Sequence, residues 1–334
     1  MKQTPRGHNR KTMAEEKRVR RCLCLVASIP MLLAGCGSDV PDLPPGSWQA
    51  DMGRLRIAVR GDEADPDSAA RWDGYRAHFE EITGLPVETF EATDYNGVIQ
   101  AVASGQVDMA VMGAASYANV NAQIGSLAVP FATVRQAEGT MGYYSAIAVR
   151  SGSPYRTLAD LEGKTIAYVD FNSTSGYVFP RRTMRDQGID PDTFFARSIM
   201  AGGATQALVA MANGRVDAAM VTVSAGTPET GFAAGSHITV GRRGLVDPDD
   251  IRLIWTAGTI PNSPFVIRTD RPKPFIDIMR GALAMLPYEK PEVWEQMGQV
   301  SGGTFVPVNE ATYAGVVALR NADIAQRRSG GSGQ

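Results

Sequence analysis

What this 334-residue chain lacks narrows its chemistry before anything it contains does. It has 3 cysteines and 3 histidines. Cys22, Cys24 and Cys36 all stand near the N-terminus, so the long remainder contains no disulfide and its core must hold together unaided. No cluster of His, Cys and Asp has metal-ligand spacing. Ser175 is not in a G-x-S-x-G elbow. Gly163-Lys164-Thr165 lacks the glycine a phosphate-binding P-loop needs, because Leu158 stands in its place. These absences argue against an enzyme, and no cofactor or metal is expected. Basic and acidic residues nearly balance, 33 against 35, so there is no positive excess with which to hold nucleic acid.

A long hydrophobic run is also missing. Cys22 to Leu33 is apolar but too short to span a bilayer comfortably. Before it stand Lys2, Arg6, Arg10, Lys11, Lys17, Arg18, Arg20 and Arg21 against Glu15 and Glu16, and Leu33-Ala34-Gly35-Cys36 follows. A basic region, an apolar region and small residues form a secretory signal. Leu-Ala-Gly-Cys resembles the bacterial lipoprotein box, in which the cysteine is lipidated and becomes the first residue. The expectation is a signal peptide over 1–35, a lipid on Cys36 and a tether over 36–53, rich in Pro41, Pro44, Pro45 and Gly46. The protein is then a membrane-anchored lipoprotein of the cell envelope, facing the periplasm or the cell exterior. Losing 1–35 removes 8 basic and 2 acidic groups, which takes the net charge from −2 to −8. A chain so charged repels anions at long range, so any anion site must work through local donors.

The rest has the composition of a globular protein, 44% hydrophobic and 20% charged. Strands and helices alternate. Leu55, Ile57 and Val59 mark a strand, and Trp72, Tyr75, Phe79 and Ile82 mark a helix whose aromatic stripe reads as core. Val87 to Phe90, Val107 to Met112, Tyr143 to Arg150, Thr165 to Val169, Val216 to Val221, Ile251 to Thr256 and Pro264 to Ile267 read as β segments, and Phe194 to Met200 leads to Gly202-Gly203. Helices are expected from Tyr95 to Gly105, Tyr177 to Gln187, Ala204 to Asn213, Phe275 to Leu286 and Glu310 to Arg320. Such alternation implies a parallel sheet covered on both faces by helices. A weak internal echo pairs Ala101–Ala110 with Ala210–Ala219, each a helix end, a glycine and a strand. Its shared aspartates, Asp108 and Asp217, are expected to bond a turn.

Asn172-Ser173-Thr174-Ser175-Gly176-Tyr177 is the segment most suggestive of a site. Three hydroxyls and a glycine fall where a helix begins, where first-turn N–H groups are unpaired and the dipole end is positive. One hydroxyl suffices for an N-cap. The other two leave an anion site as an open second reading, with Gly176 admitting the ligand to the backbone.

With Asp94-Tyr95-Asn96-Gly97-Val98-Ile99, Gly142-Tyr143-Tyr144-Ser145 and Ile254-Trp255 through Ile260-Pro261, this segment resembles the phosphonate/phosphite-binding proteins of ABC importers, over roughly Leu55 to Ile267. The resemblance implies an α/β, two-lobed class II periplasmic-binding-protein fold, each lobe a mixed, mainly parallel sheet flanked by helices. One lobe is expected over 54–146 and 256–328, the other over 147–255, with 329–334 a flexible tail. The implied ligand contacts are Tyr95, Tyr143, Ser173, Thr174, Ser175 and Gly176, the phenols reaching from the lobe opposite the hydroxyls. The implied partners are a small oxyanion and an ABC permease, with the protein a monomer.

The departures are informative. A histidine that family members use at the phosphonate falls on Ala204, or on Gly203 if the loop shifts. Two carboxylates that hold a ligand ammonium fall on Ser224 and Ser263. The resemblance therefore implies a ligand without a cationic tail: phosphite, phosphate or a small phosphonate. Arg181 and Arg182 read as a solvated face, and His78 as a surface or boundary residue. A module feeding a membrane sensor is the alternative function, and a secreted enzyme a more distant one.

Overall fold

The computed structural model describes residues 43–60, 70–297 and 301–330. The signal peptide, Cys36 and the first part of the expected tether lie outside these residues. The last part of that tether is built into the fold. Ser47 caps a one-turn helix, α1 (Trp48–Met52), and Leu43, Trp48 and Met52 pack on the core, Trp48 against Phe275 at 6.1 Å between ring centres.

The first half then runs β1 (Leu55–Arg60), α2 (Ala70–Thr83), β2 (Val87–Ala92), α3 (Tyr95–Ala103), β3 (Met109–Val111), α4 (Ala114–Ile124) and β4 (Ala128–Arg135). The second half runs β5 (Gly142–Arg150), β6 (Thr165–Tyr168), α5 (Phe179–Asp186), α6 (Pro191–Phe194), β7 (Arg197–Met200), α7 (Ala204–Ala212), β8 (Ala218–Thr227), β9 (Gly231–Gly235), α8 (Ser236–Arg242) and β10 (Ile251–Pro261). The chain returns through β11 (Phe265–Arg268), α9 (Lys273–Glu289), α10 (Pro291–Gln296), β12 (Thr304–Pro307) and α11 (Glu310–Gly330).

Two sheets result. The first has the order β12-β4-β11-β3-β1-β2; the second has β10-β5-β8-β6-β7, with β9 on β8. In each, three strands pair in parallel, β2-β1-β3 and β7-β6-β8, and the remaining pairings are antiparallel. Each sheet is thus mixed, but antiparallel pairings outnumber parallel ones, because β11 and β5 run against their parallel trios and the strands beyond them, β4 and β10, run against them in turn. β5 and β10 lie wholly in the second sheet. The chain therefore changes sheet at 136–141 and 262–264, not inside β5 and β10 as the resemblance implies. Register shifts between Leu253 and Trp255 and between Ala257 and Ile260 bend β10 along this path.

The echo is a real duplication of a structural joint. Asp108 accepts the Arg56 N–H of β1 at 2.7 Å, and Asp217 accepts the Thr165 N–H of β6 at 2.9 Å. Each aspartate thus ties the start of one parallel strand to its neighbour rather than closing a turn. Asp108 also takes Arg271 Nε at 2.6 Å, and Asp217 takes the Thr165 and Tyr155 hydroxyls at 2.7 and 3.0 Å.

Three helix limits differ from the pattern. α9 continues through Pro287 to Glu289, and α11 runs to Gly330, into the segment expected as a tail. The helix after β6 opens as a π-turn over Thr174–Val178 before α5 begins. Arg181 is buried rather than solvated. It lies 4.8 Å from the Tyr177 ring centre and pairs with Asp192 at 2.5 Å, while Arg182 stays exposed beside Asp186. His78 is buried too, within 3.5 Å of the Ala282 carbonyl. Among the described residues no helix is long and apolar enough to cross a membrane.

Candidate ligand-binding site

The loop from β6 to α5 is held before any ligand enters. Asp170 accepts the Asn172 N–H at 2.7 Å and makes a tight turn. Ser173 is still extended, with φ −76° and ψ 126°, and its Oγ accepts the Gly176 N–H at 3.0 Å. The Val178 N–H reaches the Ser173 carbonyl, the five-residue span of a π-turn. Successive residues of an α-helix point about 100° apart, so three neighbours on one regular turn diverge. Here the extended residue and the π-turn leave Ser173, Thr174 and Ser175 all lining one cavity of about 500 Å³.

Each hydroxyl also has a partner in the protein. Thr174 Oγ1 accepts the Ala115 N–H of α4 at 2.9 Å, and Ser175 Oγ meets Thr222 Oγ1 at 2.9 Å. Ser173 and Thr174 use oxygen lone pairs in these bonds, which leaves their hydrogens to donate. The choice between cap and anion site is therefore a false one at Ser173, which caps and retains a donor. Gly176 has a different role from the one expected. It does not line the cavity; a Cβ there would meet Val169 at 2.4 Å and Ser173 Oγ at 2.7 Å, so glycine is required by packing.

Tyr95 and Tyr143 line the same cavity. Tyr95 opens α3 behind the Asp94 cap, and the Arg60 guanidinium lies 4.8 Å from its ring centre. Tyr143 starts β5 and so belongs to the second sheet, with the three hydroxyls. Only Tyr95 faces them from the first. Burial pushes the Tyr143 phenol up to about 12, its hydrogen bonding with Ser175 and Thr174 drawing it back and nearby Tyr95 pushing it further up. It remains a protonated donor near neutral pH. The first sheet adds Gly113 and Ser116 at the start of α4, residues the sequence pattern did not single out. Gly113 permits the close approach, since a Cβ there would lie 3.1 Å from Thr174 Oγ1.

Ser224 and Ser263, which stand at the implied carboxylate positions, line the cavity, whereas Ala204 and Gly203 do not. Among the described lining residues Arg60 carries a charge and there is no carboxylate. His78 and His237 lie outside the lining, and no group of His, Cys, Asp and Glu among the described residues is arranged to hold a metal.

The two lobes touch beside this site. Ser116 Oγ donates to the Asn172 carbonyl at 3.2 Å, and Asn119 Nδ2 to Asn172 Oδ1 at 3.0 Å. Arg320 of α11 donates to Asn172 Oδ1 and to the Phe171 carbonyl, each at 2.9 Å. A guanidinium from near the C-terminus thus pins the loop that carries the hydroxyls.

This fold and site define a class of two-lobed binding proteins, and sequence comparison names the family. The chain belongs to the family of periplasmic substrate-binding proteins of phosphonate ABC transporters, whose model matches residues 57–313. It is 28% identical over 313 residues to the phosphate-import protein PhnD of Mycolicibacterium smegmatis, covering 87% of this chain and 92% of that protein. It is 28% identical over 237 residues to the phosphonates-binding periplasmic protein of Escherichia coli, covering 68% of this chain and 64% of that protein. Among solved structures, PhnD1 of Prochlorococcus marinus in complex with methylphosphonate has the same fold, with a TM-score of 0.67 at 13% identity over 80% of this chain and 97% of that one. A phosphonate-transporter binding protein of Pseudomonas aeruginosa has a TM-score of 0.66 at 22% identity, over 80% and 85% of the two chains.

Proposed function

We propose that this protein binds a phosphorus oxyanion lacking a cationic substituent in the cleft between its two sheets and delivers it to an ABC permease. The observation that carries the reading is the convergence of Ser173, Thr174, Ser175, Tyr143 and Tyr95 on one cavity whose described lining has no carboxylate. Hydroxyl and phenol donors suit oxygens that carry negative charge, and bonds to a charged acceptor are stronger than neutral ones. Donors on both sheets surround the ligand fully only when the lobes are together, so binding favours the closed state. A ligand ammonium has no described counter-charge in the lining. The names of the two relatives, one a phosphate importer and one a phosphonate binder, support the ligand class.

Calorimetry and thermal shift with phosphate, phosphite, methylphosphonate and 2-aminoethylphosphonate test this. A true ligand raises the melting temperature by mass action. Phosphate, phosphite or methylphosphonate is expected to do so, and the aminated compound to bind more weakly. Tight 2-aminoethylphosphonate binding without response to the other three rejects the reading.

The same proposal places the protein outside the cytoplasmic membrane, as a monomer held by a lipid on Cys36. The support is the Leu33-Ala34-Gly35-Cys36 box behind its basic and apolar regions. Cys36→Ser is expected to release the protein from the membrane fraction. Recovery of the unaltered protein in the soluble fraction alone rejects the anchor.

A further inference from the structure

The cavity is larger than its oxyanion end requires. Its volume is about 500 Å³, and at roughly 30 Å³ per water that is the space of about seventeen waters. A phosphorus atom and its oxygens fill a small part of it. The lobes touch on one flank of it through Thr174, Ser116 and Arg320.

The surplus has a distinct chemistry. Trp72, Tyr75, Val134, Phe265, Phe305 and Met297 line it, all from the first lobe. They form a continuous wall. Trp72 and Tyr75 lie 5.5 Å apart between ring centres, Tyr75 stacks on Phe265 at 6.4 Å, and Phe265 meets Phe305 edge-on at 5.1 Å. Val134 stands opposite Phe305 in the ladder of β4 and β12. The wall joins the polar end through Asn262, whose Nδ2 donates to the Val134 carbonyl at 2.9 Å. None of these six side chains is charged. Water against such a wall finds few hydrogen-bond partners, so an apolar group gains by displacing it.

Taking the anion site above as given, we propose that this annex receives an uncharged apolar substituent on phosphorus, of about the size of one ring. The preferred ligand is then an aryl phosphorus oxyanion rather than a bare or methyl-bearing one. Its oxygens sit on the Ser173–Ser175 hydroxyls and its substituent lies along the half-buried Trp72, Val134 and Met297, which Tyr75, Phe265 and Phe305 back from the core. The annex does not distinguish a carbon–phosphorus bond from an ester oxygen, so both sources of the same chemistry enter the test.

Calorimetry on the full chain compares phosphate, methylphosphonate, phenylphosphonate and phenyl phosphate. At least one phenyl compound is expected to bind about tenfold or more tighter than methylphosphonate, from burial of the ring, and with a more negative heat-capacity change. Which of the two does so identifies the linkage. Val134→Phe, which fills the annex, is expected to abolish that preference while methylphosphonate still binds, which also reports that the variant is folded. If it does not fold, Met297→Phe serves the same purpose at another point of the wall. Phenyl compounds binding no tighter than methylphosphonate, or the filling variant weakening both ligands alike, overturns the annex. Failure of all four compounds to bind overturns the anion site itself, a distinguishable result.

Discussion

In the first half of the molecule Asp108 ties β3 to β1, and in the second Asp217 ties β8 to β6 by the same carboxylate-to-backbone bond. The parallel trios β2-β1-β3 and β7-β6-β8 are laid out alike around these joints. What each half places at the helix starts differs. After β2, Asp94 caps α3 and Tyr95 lines the cavity; at the matching place after β7, Gly203 and Ala204 offer no side-chain donor. After β6, by contrast, come the three hydroxyls. Among the described residues, one scaffold, used twice, carries cavity-lining donors on different loops in its two copies. The cavity lining is therefore asymmetric within a repeated frame, and on the proposed function scaffold and site are expected to separate by mutation.

Replacing Ser173 and Ser175 together by alanine gives the largest effect, and on binding. Two hydrogen bonds to a charged ligand are worth about 3–6 kcal/mol together, a loss of more than about a hundredfold in affinity by calorimetry. The ligand-free protein loses only about 1–3 kcal/mol, the cost of the Ser173 cap and of the Ser175–Thr222 bond. Collapse of the unliganded fold instead would make the hydroxyls scaffold, and the separation would fail.

The aspartates give the converse result, on stability. Asp108→Ala leaves the Arg56 N–H unpaired and removes one partner of Arg271, which keeps Asp270 and the Gly105 carbonyl, and by denaturant unfolding the cost is about 2–4 kcal/mol. Asp217→Ala leaves the Thr165 donors and the Tyr155 hydroxyl unpaired at a more open site, for about 1–3 kcal/mol. Equal costs would show that the joints are equivalent in energy as well as in geometry. The smallest effect is on pH dependence. Burial raises the Asp217 carboxyl, but the Thr165 and Tyr155 bonds and nearby Arg150 outweigh it and hold the group below the usual carboxylate range. Its stabilisation is therefore complete above the unfolded value of about 3.9 and is lost as pH falls through the lower folded value. Asp217→Ala removes that part of the acid dependence, which unfolding curves between neutral and strongly acid pH will read.

Much of this frame was legible from pattern. Alternating Leu55, Ile57 and Val59 marked β1, and the repeated glycine-then-strand marked the two halves. α4 and β4 were not legible, for physical reasons. Ala114 to Ala118 and Val120 are all buried, so α4 has little polar face to set a period. Pro130 argues against a strand, yet it lies beside the bulge between Phe265 and Val266 and outside the β12 pairing, where a missing N–H is tolerated. Without α4, the Ala115 N–H that meets Thr174, and Gly113 beside it, could not be assigned. Ser173 to Ser175 were legible because three adjacent hydroxyls exceed what a cap needs. The side of the cleft from which Tyr143 reaches was not, since alternation does not say which sheet a long strand joins.

The contact of Arg320 with Phe171 and Asn172 has a consequence for the order in which the protein comes into being. Chains emerge from the ribosome amino end first, so the hydroxyl loop is synthesised well before the guanidinium that fastens it. A nascent chain holding both sheets but not yet α11 has every donor and lacks the fastening. Full grip on a ligand thus arrives with one of the last helical turns to be made.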